Sequence, residues 1–145
     1  MMRALITTLC LGMALPAMAY IDQVQLPESA ETGELVVALV EGSLPDTCWE
    51  FLGFDVELAG TEATIHLWTA FTAPPGVGCP AVLMPYDCFP ELVFDRPGTW
   101  TVQVREHRSH PELVLPDLVH EQTIEVTGTV PSERRPWGGV KAAYR

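Results

Sequence analysis

The stretch that most restricts what this chain can fold into is Asp95-Arg96-Pro97-Gly98-Thr99-Trp100-Thr101-Val102-Gln103-Val104. Pro97 and Gly98 make a tight turn, and Trp100, Val102 and Val104 then alternate with polar residues. That is the period of a strand with one face buried, and it is the strongest strand signal in the sequence.

Other segments follow the same logic. Ile21 to Leu26 reads as an edge strand closed by Pro27. Glu34 to Glu41 is a near-continuous apolar run, which fits a central strand buried on both faces. Trp49 to Leu58 alternates imperfectly, offering Phe51, Phe54, Val56 and Leu58 to a core, and Ala59-Gly60-Thr61 turns the chain as a hairpin. Ala63 to Phe71 alternates cleanly, with Ile65, Leu67 and Phe71 on one face and Thr64, His66 and Trp68 on the other. Thr72 to Pro90, rich in proline and glycine, reads as loop. Glu91 to Phe94, Thr99 to Arg105 and Leu118 to Val126 complete the set, with a long loop from Glu106 to Asp117. About seven short strands, no amphipathic helix and turn residues at each junction predict an all-β antiparallel sandwich over residues 20–128.

Before that domain, Met1-Met2-Arg3, an apolar run from Ala4 to Leu15 and Pro16-Ala17-Met18-Ala19 form a signal peptide pattern, residues 1–19. The run is too short to span a bilayer comfortably, and no later segment approaches transmembrane length. Losing Arg3 with this leader takes the formal net charge from −11 to −12. Such a charge disfavours nucleic acid, whose phosphates call for a basic face. Basic residues gather instead in the tail, residues 129–145. There Trp137, Val140 and Tyr144 would share one helical face, and Gly138 and Gly139 weaken that helix, so the tail is expected to be flexible or conditionally helical. Cys48, Cys79 and Cys88 remain in the mature chain, where one bridge and one leftover thiol are expected in an oxidising compartment.

Asp95, Gly98 and Trp100, followed by Val102, resemble the start of strand F in immunoglobulin-like domains, where an aromatic forms the tyrosine corner. Trp49 stands near the place where those domains bury a tryptophan. The order of Pro45-Asp46-Thr47-Cys48, then Cys79-Pro80-Ala81-Val82-Leu83-Met84-Pro85-Tyr86, then Gly98-Thr99-Trp100-Thr101-Val102 is similar to small exported bacterial immunoglobulin-like domains of uncharacterised function. The tail resembles Trp-x-x-Val-Lys-x-x-Tyr endings of secreted bacterial proteins. The first resemblance implies an immunoglobulin-like fold, a periplasmic or extracellular location and a Cys48–Cys79 disulfide with Cys88 free. On the residues alone, Cys48 with Cys88 is the rival pairing.

No enzyme motif is present, so no catalytic residue, cofactor or metal is assigned. His107-x-x-His110 lacks the cysteine or carboxylate pair that structural zinc sites use. Arg135-Pro136-Trp137 echoes a loop of chagasin-like peptidase inhibitors, yet it follows the final strand and lacks that family's two companion loops. The expected function is therefore a non-enzymatic binding or scaffold domain for a protein or envelope component, with a peptidase inhibitor or metal-binding module as the alternative. Candidate partner-binding residues are His107, His110, Leu113, Val114 and Leu115 in the long loop, and Trp137, Val140 and Tyr144 in the tail. The first test is export itself. Intact mass of the exported protein should place its N-terminus at Tyr20, and a species retaining Met1 would contradict the leader.

Overall fold

The computed structural model describes residues 20–128; the leader at 1–19 and the tail with Trp137, Val140 and Tyr144 lie outside the described residues. Ten strands follow one another: β1 (Tyr20–Gln25), β2 (Ser29–Glu31), β3 (Leu35–Val37), β4 (Leu39–Leu44), β5 (Trp49–Ala59), β6 (Glu62–Phe71), β7 (Met84–Cys88), β8 (Glu91–Val93), β9 (Gly98–Ser109) and β10 (Leu118–Thr127). The expectation of about seven is too low for three reasons, the first being β2 in the link after Pro27. The apolar run at 34–41 is divided between β3 and β4, and the presumed loop at 72–90 contains β7.

The division has its cause in the partner strand. β3 pairs with β8 through Leu35 and Val93, and β4 pairs with β7 through Val40 and Cys88, in one continuous antiparallel register. Between them Ala38 donates its N–H to the Pro90 carbonyl at 2.9 Å, but Pro90 has no N–H to return. The ladder therefore lapses at Pro90 and resumes beyond it. With β1 on the far side of β4, these strands form one layer.

The other layer is a five-stranded sheet in the order β2, β10, β9, β6, β5. Two of its pairings, β6 with β9 and β10 with β2, are parallel, which corrects the expectation of an antiparallel arrangement throughout. Parallel neighbours cannot be joined by a tight turn. After β6 the chain crosses to the opposite layer, forms β7 and β8 there, and returns as β9. β6 lies inside the sheet between β9 and β5, and its Ala63, Ile65, Leu67 and Thr69 are all buried. β5 is the edge strand, interrupted by a bulge between Phe51 and Gly53. Trp49, Phe51 and Val56 of β5 pack against the core, whereas Phe54 and Leu58, expected inside, are exposed. β5 and β6 meet through a two-residue turn, in which Gly60 takes φ +62°, a conformation glycine adopts without a Cβ clash.

Both layers contribute to a single core that includes Val36, Val40 and Leu92 from one side and Ile65, Leu67, Trp100, Val102, Val104 and Ile124 from the other. Trp100 behaves as the strand alternation requires. It is buried, packs on Phe94 with ring centroids 4.9 Å apart, and donates its indole N–H to the Arg96 carbonyl at 3.0 Å. That bond ties the strand back to the turn that precedes it. Among the described residues, no helix is long and apolar enough to cross a membrane.

Cys48 and Cys79 are bridged, and Cys88 is a buried free thiol that burial pushes up to about 11. The bridge spans 31 residues of sequence and ties the start of β5 to the loop after β6. In the chain-entropy account, closing a loop of this length contributes about 3 to 4 kcal/mol. Reduction should lower the urea midpoint accordingly, while native Cys88 stays unlabelled by a thiol reagent until the protein is unfolded.

Candidate functional site

β6 and β9 carry their polar sides on the face turned away from the core. The parallel register sets His66 beside Arg105 and Trp68 beside His107. Alternation supplies these residues: Ile65 and Leu67 face inward, so His66 and Trp68 face out, and Val104 and Glu106 face inward, so Arg105 and His107 face out.

His66 and His107 meet edge to edge on this face. His66 Nδ1 and His107 Nε2 are 2.9 Å apart, with ring centroids 5.1 Å apart and planes inclined by only 14°. The two distances differ by the extent of two ring radii, so the nitrogens point at each other along the line of centres. Each ring's outer nitrogen faces a carboxylate. Glu57 Oε2 is 3.5 Å from His66 Nε2, and Asp117 Oδ2 is 3.1 Å from His107 Nδ1. Trp68 packs beside both imidazoles, with centroids 5.8 and 5.5 Å away. Arg105 Nη1 stands 3.5 Å from Asp117, and Asp55 pairs opposite His66 across β5. The result is a row of carboxylate, imidazole, imidazole and carboxylate across three strands and the start of β10.

A second feature occupies the end of the fold braced by the disulfide. Trp49 meets Phe71 edge to face at 6.0 Å, and His110 lies 6.0 Å from Trp49 and 4.6 Å from Phe71. Beside this cluster, an open groove of about 480 Å³ runs between residues 71–77 and 110–112. The loop beyond it is held at its base by Arg108, which donates two hydrogen bonds to the Pro116 carbonyl, at 2.6 and 3.2 Å. Leu113 is exposed and Val114 is fully exposed at 101%.

The third feature is inside. Glu106, wholly buried, accepts hydrogen bonds from Thr69 at 3.0 Å and from Tyr86 at 3.2 Å. Tyr86 belongs to the opposite layer, so the carboxylate links the two sheets. The Tyr86 ring stacks on Phe51 at 4.7 Å and lies so close to Gly42 that a Cβ there would come within 2.3 Å of it. Desolvation raises the carboxyl of Glu106 above its ordinary 4.5, opposed by the Thr69 and Tyr86 bonds. Burial, followed by the nearby Glu106 carboxylate, pushes the Tyr86 hydroxyl far up as well.

The residues expected to act together in the 106–117 loop are thus dispersed. β9 continues to Ser109, so Glu106 and His107 belong to a strand and the loop begins only at His110. His107 joins His66 on the sheet face, His110 joins Trp49 and Phe71, and Leu113 and Val114 stand exposed with Leu115 half-buried. Sequence reasoning did not find the His66–His107 pair or buried Glu106. A signal for Glu106 existed, because it falls in phase with Trp100, Val102 and Val104. Among the described residues, Asp46, Cys48 and Cys79 also cluster closely, but the disulfide takes both sulfurs and leaves no thiolate. Against known proteins, the chain matches no family model, no curated protein and no solved structure.

The pH dependence of stability tests the buried carboxylate. A raised folded pKa means that the contribution of Glu106 is fully present below the ordinary 4.5 and is lost as pH rises through the folded value. The stability of wild type relative to Glu106→Gln should therefore fall with rising pH over that window. Urea midpoints measured across pH for both proteins check it, and a constant difference would contradict the shift.

Proposed function

We propose that this chain is an exported, non-catalytic binding domain with an immunoglobulin-like sandwich fold, and that a protein partner docks on its disulfide-braced end. The observation that carries the reading is Val114. An apolar side chain with full exposure, beside exposed Leu113 and next to an aromatic-lined groove, is what a loop presents when its apolar tip is covered by something else. The supports of this loop favour a prepared surface. Arg108 fastens its return at Pro116, the Cys48–Cys79 bridge holds the opposite wall, and His110 sits against Trp49 and Phe71. A surface ordered before binding loses less conformational freedom on association.

The immunoglobulin-like part of the reading rests on the Trp100 bond back to Arg96 and on two facing sheets with a short parallel edge strand, β2, beside the last strand. The β6–β9 parallel pairing departs from that plan, so the likeness is one of layers and corner rather than of every connection. The disulfide supports export, since such bonds persist in oxidising compartments.

Leu113→Asp combined with Val114→Asp tests the surface. Both positions are exposed, so thermal stability should change little, within about 0.5 kcal/mol. Crosslinking in the native cell envelope should yield a defined adduct with wild type and lose it with the double variant. An adduct unchanged by these substitutions would place binding elsewhere. A large loss of stability would instead make the residues part of the core.

A further inference from the structure

We propose that His66 and His107 form a binding site for a divalent transition metal ion of the zinc or copper class on the outer face of the five-stranded sheet, separate from the docking end. The argument begins with donors and acceptors. An ionised carboxylate only accepts, and Glu57 and Asp117, at ion-pair distance from the outer nitrogens, favour a proton on that side of each imidazole. In the neutral tautomers so selected, His66 Nδ1 and His107 Nε2 both present lone pairs, and these face each other at 2.9 Å. Two acceptors cannot satisfy one another, so the gap takes either a proton shared between the rings or a metal ion.

The surroundings favour a dication in that place. Glu57, Asp117 and Asp55 bring three carboxylates to the patch against the single guanidinium of Arg105, so two neutral rings with a bound dication balance the local charge. Carboxylates behind the outer nitrogens are the arrangement that fixes the tautomer and raises the basicity of metal-binding histidines. Zinc with nitrogen ligands at 2.0–2.1 Å holds two of them about 3.3 Å apart in tetrahedral geometry, so both rings must draw apart and turn their lone pairs off the common line to admit the ion. Both imidazoles stand on paired strands and remain partly open to solvent, which leaves further coordination positions for water or a ligand from outside. Trp68, against both rings, is a built-in reporter.

Titration of the tag-free, chelator-treated full chain with Zn²⁺ and Cu²⁺ by calorimetry tests the site. One ion per chain is expected, and His66→Gln or His107→Gln should weaken binding at least tenfold. Glu57→Gln and Asp117→Asn should each weaken it by roughly 10-fold or more. His110→Ala and His120→Ala should leave it unchanged. If the histidine variants fold poorly, Trp68 decides: Cu²⁺ should quench wild-type fluorescence at the same stoichiometry, and Trp68→Phe should remove most of that response. Absence of binding at millimolar ion overturns the proposal, because the facing nitrogens then hold only a shared proton. Binding that survives both His66→Gln and His107→Gln overturns it equally.

Discussion

A slip of β9 by one residue against its neighbours would turn Trp100, Val102, Val104 and Glu106 to solvent and bring Arg105 and His107 into the core. Side chains alternate with a period of two, so register and face are the same decision. β9 sits between β10 and β6, and its inner residues supply much of the core. Everything of chemical interest follows from holding that register. The same strand sends Glu106 inward to Thr69 and Tyr86, and His107 outward to His66. The Trp100 bond to the Arg96 carbonyl anchors the strand at its beginning, and the Arg108 clamp on Pro116 anchors it near its end.

Glu106 is an expensive way to join two sheets. A buried carboxylate loses its hydration, and two hydroxyl donors offset only part of that cost. What the bridge provides is specificity: it is satisfied only when Thr69 of one layer and Tyr86 of the other stand at one distance from it. Apolar faces alone would accept several offsets between layers, whereas a buried hydrogen-bonded group accepts few. Gly42 belongs to the same device, since the Tyr86 ring occupies the space that any side chain there would need.

Much of the fold was legible because it depends on local patterns. The alternation at 63–71 and 99–105 located β6 and most of β9, the glycine at 60 located the hairpin, and the last strand was placed almost to the residue. The disulfide partner of Cys48 came from resemblance rather than from the residues, which left Cys88 as a rival; the fold separates them by burying Cys88 opposite Val40. Where pattern reading failed, a non-local effect intervened. Pro90 interrupts a ladder whose other strand lies some fifty residues earlier, and Phe54 and Leu58, although on the inner face opposite Leu67 and Ala63, are exposed because β5 lies at the edge of its sheet. The 106–117 segment was read as one loop because charged residues and histidines follow Val104, although the alternation itself continues to Ser109.

The amino-acid order by itself determined an all-β chain and the inward faces of its best strands, because each of these is written in period and turn chemistry within a few residues. Which strands become neighbours is decided elsewhere. β6 and β9 are joined through a crossing of the opposite layer, so nothing local announces that they pair, or that they pair in parallel. Only that pairing brings His66 to within 2.9 Å of His107, and only the return of the chain at β10 sets Asp117 behind it. The histidine pair and the Glu106 bridge are thus properties of tertiary structure: side chains 20 to 41 residues apart meet because the burial of two sheets sets their register.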